Sequence, residues 1–175
     1  ELPGRLQDMA VLPIRTFGDP VLRERCSEVA AVDGDVARLV DDLADSIPRP
    51  GGAGLSANQI GILKRVFVYD DEGEIAACIN PRLISASEEM VEEMEGCLSL
   101  PGAIVPVKRH ASLELEFIDL QGETKRVRAE GWLARVFQHE LDHLDGILIL
   151  DRTDRESRVE ALQILHGAPG SAIEL

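Results

Sequence analysis

Two histidines and a glutamate lie within about one helical turn in the segment Gln138-His139-Glu140-Leu141-Asp142-His143. On an α-helix, residues four apart share a face, so His139 and His143 can direct ring nitrogens at one metal ion. Glu140 then lies beside a water on that ion, where a carboxylate can act as a base. Because the chain has only four histidines in 175 residues, this clustering indicates a metal site.

Apolar residues around this segment recur at helical spacing, which predicts a buried helix from about residue 131 to residue 143. They are Trp132, Leu133, Val136, Phe137, Leu141 and Leu144. Histidines and a glutamate on a buried helix need partners, and a cation supplies one. The alternative is that the histidines only pack in a core or face solvent, with Glu140 and Asp142 as surface charges.

The third metal ligand decides which class of protein this is, because catalytic metal sites usually have three protein ligands. A third histidine in the arrangement H-E-x-x-H-x-x-G-x-x-H is excluded, since Ile149 occupies its last position. A downstream glutamate, Glu156 or Glu160, would make the protein a zinc metalloprotease. The other candidate is Cys97, in the upstream segment E-G-C-L-S-L-P. Spacing alone leaves both candidates open.

A third unusual segment, G-A-G-L-S-A-N-Q, occupies residues 52–59. Its first six residues satisfy the dinucleotide-binding pattern G-x-G-x-x-A, but that pattern must follow a strand and open a helix. Here it follows a helical pattern and the sequence Pro48-Arg49-Pro50, which argues against a nucleotide site. No G-K-[ST] follows, so a phosphate-binding P-loop is excluded.

Taken together and in this order, the three segments resemble the signatures of the peptide deformylases, G-x-G-L-A-A-x-Q, E-G-C-L-S and Q-H-E-x-D-H. Flanking phrases at residues 17–22, 79–81 and 143–146 also look like family members, so the resemblance covers residues 9 to about 152. One departure is Ser56, which stands at the first alanine of the first signature. A small hydroxyl there can bond locally to backbone, and we expect it to be compatible with activity.

The resemblance implies a metal-dependent hydrolase that removes the formyl group from N-formylmethionine at the start of nascent polypeptides and releases formate. Its metal ligands would be Cys97, His139 and His143, which would hold one divalent ion. The family resemblance favours Fe(II), and these ligand types also suit zinc, nickel or cobalt. A water on this ion would attack the formyl carbon, with Glu140 as the base.

The resemblance also implies how the reacting group and the peptide are held. By position in the signatures, the Gln59 side chain and the Leu98 backbone N–H would stabilise the oxyanion of the tetrahedral intermediate. The extended peptide would pair with backbone as an added strand, and the methionine side chain would enter an apolar pocket near His139. Ala53, Gly54 and Gly96 are expected to pair with the peptide backbone. Trp132 and Val136 are expected to contact the methionine side chain. The last two could equally be ordinary core residues of the helix.

Length and cysteine usage bound the domain organisation. A chain of 175 residues, 45% of them hydrophobic, can bury a substantial core. We expect residues 9–175 to form a single catalytic domain, with residues 1–8 as a leader or a cloning remnant. The three widely spaced cysteines indicate no disulfide framework, which favours a reducing compartment: a bacterial cytoplasm, with an organelle as the alternative.

The net charge of the chain limits the classes of partner that it can bind. A net charge of −14, from 18 basic and 32 acidic side chains, argues against a nucleic-acid or anionic-membrane surface. The acidic run at residues 88–95 is interpreted as a solvated strand or loop edge. Residues 153–175 carry mixed charges and offer no basic tail for docking on the ribosome. The expected partners are therefore formylmethionyl peptides, and the protein is expected to be a monomer.

The pattern of elements predicts an α+β fold in which mixed or antiparallel sheets wrap around the central metal-binding helix. A first helix is expected at residues 35–46, and strands are expected where apolar and polar residues alternate. The predicted strands are residues 65–70, 75–80, 113–119 and 125–129, the last two joined by a turn at Gln121-Gly122. A short apolar piece at residues 147–150 and a helix at residues 157–165 follow the metal helix.

Overall fold

The computed structural model describes residues 10–167, so the expectation that residues 1–8 form a leader lies outside the described residues. The α-helices are α1 (Gly34–Ser46), α2 (Gly131–Leu144) and α3 (Arg155–His166). The strands are β1 (Gly54–Ser56), β2 (Val66–Asp71), β3 (Glu74–Ala86), β4 (Met90–Cys97), β5 (Leu100–His110), β6 (Ser112–Ile118) and β7 (Thr124–Glu130). Short 3₁₀ helices lie at Pro20–Arg23, Ala57–Ile60 and Ile149–Asp151. Among these residues, no helix has the length and apolar character needed to span a membrane.

The strands form two antiparallel sheets. One sheet has five strands in the order β1-β2-β3-β6-β7, and β4 pairs with β5 in a separate two-stranded sheet. Helix α2 lies between them: its apolar side packs on the larger sheet, and its polar side chains bond to the smaller one. Arg135 donates to the Val107 carbonyl oxygen, and Gln138 bonds to the backbone of His110. The predicted α+β class, with sheets around a central helix, is confirmed.

Aromatic rings fix α2 on the five-stranded sheet. Phe137 of α2 is fully buried, and its ring centroid lies 4.9 Å from that of Tyr69 and 6.0 Å from that of Phe67, both on β2. Tilted and edge-to-face pairs at these distances add to the stabilisation from burial. Truncating a buried phenylalanine to alanine typically costs about 3–5 kcal/mol. The helix that carries both histidines is therefore held rigidly against a sheet.

Helix α1 covers the opposite face of the same sheet. Alternate residues of a strand point to opposite faces, so Val66 and Val68 of β2 face away from Phe67 and α2. They join one apolar cluster with the buried apolar residues of α1, which are Val36, Leu39, Val40 and Leu43. Asp33 caps this helix by accepting a hydrogen bond from the Val36 N–H. Residues 66–69 of β2 are thereby removed from water on both faces of the sheet.

Alternation predicted strands correctly where apolar and charged residues alternate strictly. Leu113, Leu115 and Phe117 of β6 are buried as expected, and Gln121-Gly122 lies in the turn before β7. The strands β1 and β5 were not predicted. β5 contains two prolines and a glycine, which are depleted in strands but tolerated on an edge, and β5 pairs only with β4. The acidic run before Glu95 is the solvated strand β4, but Glu95 itself is buried.

A glycine ends α2 and sets its position. Gly146 has a φ of +74°, and its N–H donates to the carbonyl oxygen of His143 at 3.0 Å. The next N–H, of Ile147, donates to Asp142 at 2.8 Å, which completes a left-handed helix termination. A Cβ on Gly146 would lie 2.5 Å from the carbonyl oxygen of Arg23, so the two backbones meet without room for a side chain.

Replacing Gly146 by alanine is expected to lower the free energy of unfolding by about 2 kcal/mol or more. The left-handed conformation alone costs an L-residue of order 1–3 kcal/mol, and the contact with Arg23 adds a backbone shift. Gly122→Ala is the matched control, because Gly122 has a φ of +80° but no atom within 4 Å of the added Cβ. Urea unfolding measures both variants, and equal losses would show that the contact contributes nothing.

Candidate metal centre

The sulfur of Cys97 and one nitrogen each of His139 and His143 converge on one point. Cys97 Sγ lies 3.2 Å from His143 Nε2, and the two Nε2 atoms are 3.1 Å apart. These are the residues that the described part of the chain offers as a possible metal-binding group, with all ligand atoms within 4.8 Å of one another. A tetrahedral ion at usual bond lengths separates nitrogen and sulfur ligands by about 3.4–3.6 Å. The spacing is therefore close to that of a metal site.

Two elements supply this group. Cys97 is the last residue of β4 and pairs with Leu100 across the turn into β5. His139 and His143 lie four residues apart on α2, with their rings 4.8 Å apart, so both face the turn. The packing of α2 between the sheets therefore brings the strand end and the helix face together.

Glu95 orients His139. The Nδ1 atom of His139 lies 2.9 Å from Glu95 Oε1, so Nδ1–H donates to the carboxylate and Nε2 is the ring nitrogen that faces Cys97. Arg109 donates two bonds to the same carboxylate, at 2.9 and 3.0 Å, and Arg135 donates a third. Burial raises the pKa of Glu95, but the hydrogen bonds from His139 and Arg109 outweigh it and lower the pKa to about 2. Glu95 therefore stays ionised.

Asp142 continues this network along α2. Its carboxylate accepts a 2.6 Å bond from Arg109 and two bonds from Arg152, at 2.9 and 3.1 Å. Only 8% of Asp142 and 3% of Glu140 are exposed, so the alternative that they are surface charges is wrong. Removing one member of a buried ion pair leaves an uncompensated charge, which makes this network a strong constraint on α2.

The charges around the histidines favour a cation at their meeting point. Burial lowers the pKa of His139, but hydrogen bonds with Cys97 and Glu95 raise it to about 10. Burial and the neighbouring His139 lower the pKa of His143 well below its ordinary value, which keeps that ring neutral. Metal ligation requires a thiolate and neutral imidazole lone pairs. His143 already meets the requirement for a neutral ring, whereas His139 would give up its Nε2 proton to a divalent ion held by Cys97, His139 and His143.

Glu140 presents a carboxylate oxygen with no protein partner. Its Oε2 atom is buried and has no hydrogen-bond partner among residues 10–167. Burial raises the pKa of Glu140 to about 7, although the charge of His139 and a hydrogen bond with Ser56 lower it. A Cβ on Gly54 would lie 2.8 Å from Glu140 Oε1, so only glycine leaves room for this carboxylate. A carboxyl group with a pKa near neutrality can both accept and return a proton.

The Gln59 side chain is fixed at both ends. Its Oε1 accepts from the N–H and the hydroxyl of Ser56, both at 3.0 Å. Its Nε2 donates to Ser99 Oγ at 3.1 Å and lies 3.8 Å from Cys97 Sγ. The amide N–H groups therefore point towards the metal ligands. The neighbouring Asn58 donates to the carbonyl oxygen of His143 and ties this segment to α2.

A cleft of about 390 Å³ opens beside Cys97 and His139. It brings together the residues expected to contact a substrate or an oxyanion, which are Ala53, Gly54, Gln59, Gly96, Leu98, Trp132, Val136 and Glu140. Trp132 is 64% exposed, so it stands at the cleft and is not an ordinary core residue, whereas Val136 is 7% exposed. The glutamates considered as a third ligand, Glu156 and Glu160, are exposed on α3 and do not join the metal-binding group.

Sequence reasoning missed the part played by Arg109. It is the penultimate residue of β5, where the alternate residues Ala103, Val105 and Val107 are buried, and Arg109 continues that buried series at 4% exposed. An arginine on the buried side of a strand needs a carboxylate partner. That signal was hidden because the prolines in β5 concealed the strand. Ser99 was missed for a simpler reason, since nothing in its sequence context predicts the bond to Gln59.

Comparisons with known proteins agree with one another. The family model described as polypeptide deformylase matches residues 11–159. The peptide deformylase of Parafrankia sp. (strain EAN1pec) is 44% identical over 164 residues, which is 93% of this chain and 90% of that protein. The peptide deformylase of Dictyoglomus turgidum is 45% identical over 147 residues, 84% of this chain and 95% of that protein.

Solved structures give the same result. The crystal structure of peptide deformylase from Ehrlichia chaffeensis in complex with actinonin has a TM-score of 0.86 and 34% identity, covering 92% of this chain and 99% of that chain. The crystal structure of peptide deformylase from Thermotoga maritima has a TM-score of 0.79 and 38% identity, covering 82% of this chain and 98% of that chain. Sequence, fold and the arrangement around Cys97 thus lead to one conclusion: this chain belongs to the peptide deformylase family.

Proposed function

We propose that this protein is a metal-dependent hydrolase that removes the formyl group from N-formylmethionine at the start of nascent polypeptides and releases formate. The observation that carries the proposal is the convergence of Cys97, His139 and His143 beside a cleft that Glu140 also lines. Membership of the peptide deformylase family supports the same reaction and disfavours the metalloprotease alternative. The reaction adds one water to the formyl amide and yields a free amine and formate.

Cys97, His139 and His143 would hold one divalent ion, and we propose Fe(II), with zinc, nickel or cobalt as ions that the same ligands accept. When bound, such an ion lowers the pKa of water and polarises a carbonyl oxygen. The protein groups around the ligands set their protonation: Glu95 fixes the Nδ1–H tautomer of His139, and burial keeps His143 neutral.

Glu140 would take a proton from the attacking water and pass one to the departing amine. Its unpartnered Oε2 faces no competing protein donor among the described residues, and its pKa of about 7 suits both directions of transfer. The Gln59 amide and the Leu98 backbone N–H would donate to the oxyanion that forms on the formyl carbon. The bonds to Ser56 and Ser99 hold the Gln59 amide in place before the substrate arrives, so little reorganisation is needed.

The substrate would bind as an added strand along the cleft. Ala53, Gly54 and Gly96 would offer backbone groups to the peptide, while Trp132 and Val136 would contact the methionine side chain. We further propose that the enzyme acts as a single domain over residues 9–175 and as a monomer, in the bacterial cytoplasm. We expect it to bind neither nucleic acid nor membranes, because of its net charge of −14.

Glu140→Gln is expected to keep the metal and lower kcat by about 10²–10⁴-fold, because the amide cannot accept a proton. Formate release from a formyl-methionyl peptide measures turnover, and elemental analysis measures the metal. Casein serves as the control substrate, since a metalloprotease would cleave internal peptide bonds and this enzyme should not. Persistent turnover in the variant would show that Glu140 is not the base.

Gln59→Ala is expected to lower kcat by about 100-fold or more, the usual effect of removing one oxyanion donor. The loss should fall on kcat, because the developing oxyanion exists only in the transition state. Steady-state formate release at several peptide concentrations separates kcat from KM. A change confined to KM would assign Gln59 to substrate binding instead.

Activity of the Fe(II) enzyme is expected to decay in air, whereas the Ni(II) or Co(II) enzyme should keep its activity. A ferrous ion on a thiolate is open to oxidation by oxygen, and a poised cysteine is a natural site of oxidation. The measurement is formate release after timed exposure of each anaerobically loaded form to air. Equal decay of the iron and nickel forms would contradict the assignment of iron as the labile component.

A further inference from the structure

Ser56 occupies the place where the family signature has an alanine, and its hydroxyl makes hydrogen bonds to neighbouring side chains. The residue ends β1, precedes the 3₁₀ helix Ala57–Ile60 and is fully buried. Its Oγ lies 3.0 Å from Gln59 Oε1 and 3.0 Å from Asn58 Oδ1. The Ser56 N–H also donates to Gln59 Oε1 at 3.0 Å.

The surroundings fix the direction of these bonds. Asn58 uses its Nδ2 to donate to the carbonyl oxygen of His143, so its Oδ1 is the atom that faces Ser56. Both oxygens are therefore acceptors, and the Glu140 carboxylate also accepts from this hydroxyl, so Ser56 has to be the donor and shares one proton among them. Gln59 Oε1 thus receives donors from both the backbone and the side chain of Ser56.

This arrangement determines which way the Gln59 amide faces. In the opposite orientation, the Gln59 NH₂ group would meet the Ser56 N–H, donor against donor. In the observed orientation, Nε2 donates to Ser99 Oγ and points towards Cys97. A donor on the oxygen of an amide also polarises it and strengthens its N–H groups as donors, by about 10–30% per bond.

We propose that Ser56 is a positioning residue for deformylation, whose hydroxyl holds and polarises the Gln59 amide so that its Nε2–H donates to the oxyanion. The inference rests on the proposed function, because it needs Gln59 to act in the transition state. An alanine at this position keeps the backbone donor and loses the hydroxyl. This chain therefore gives its oxyanion donor one hydrogen bond more than the family signature provides.

Ser56→Ala is expected to lower kcat about 3–10-fold and to leave KM within about twofold, because the lost bond matters most when the oxyanion forms. Ser56→Thr keeps the hydroxyl and should recover kcat. Ser46→Ala is the matched control: Ser46 is a buried serine that bonds to Leu12 N and the Ala10 carbonyl oxygen, outside the cleft. It should lower thermal stability without changing kcat.

A double-mutant cycle separates positioning from packing. In the Gln59→Ala background, Ser56→Ala should cause no further loss of kcat, since the group it positions is gone. The proposal would be overturned if the loss of kcat in the double variant equalled the product of the losses in the two single variants. Equal kcat values for the wild-type protein and Ser56→Ala would also overturn it. If Ser56→Thr does not fold, the cycle alone decides. A wild-type protein that releases no formate would refute the proposed function, an outcome distinct from either of these.

Discussion

The position of the metal ligands depends on the hydrogen bonds of the buried Glu95 carboxylate. Glu95 lies two residues before Cys97 on β4 and accepts a hydrogen bond from His139 on α2, so it joins the two elements that supply the ligands. A buried charge is stable only when it is paired, and Arg109 and Arg135 supply that pairing. Because Arg109 also bonds to Asp142 and Arg135 also bonds to the backbone of β4 and β5, these ion pairs tie the carboxylate, the strands and the helix together.

The placement of α2 determines which of its polar residues remain available for chemistry. On one side its apolar residues pack on the five-stranded sheet, and on another Gln138 and Asp142 are fully engaged by backbone and arginine partners. His139, Glu140 and His143 face the cleft or the turn after β4, and Arg135, which also lines the cleft, is paired with Glu95. Gly54 leaves room for the Glu140 carboxylate at the cleft, since any side chain there would occupy the same space.

Local spacing made the core of the site predictable from sequence, whereas long-range pairing did not. The i, i+4 relation of His139 and His143 follows from helix geometry alone, and β6 follows from strict alternation. Cys97 as third ligand came from the family resemblance, because nothing in its spacing says which distant helix it meets. The Arg109 pairing and the strand β5 escaped prediction, since they depend on the tertiary packing that allows prolines on an edge strand.

Buried polar atoms without a hydrogen-bond partner lower the stability of a fold, and one such atom here lies where the proposed reaction needs it. Native proteins pair nearly all buried polar groups, and the described residues leave three buried side-chain atoms without a partner: Glu140 Oε2, His143 Nδ1 and Thr153 Oγ1. Two of the three lie on α2, one of them on the ligand His143, although the same helix carries several paired charges. A fold able to satisfy Glu95 and Asp142 with arginines could have satisfied Glu140 in the same way. Leaving that carboxylate oxygen open is what a proton acceptor requires, since a protein donor there would hold the position that a reacting water must take.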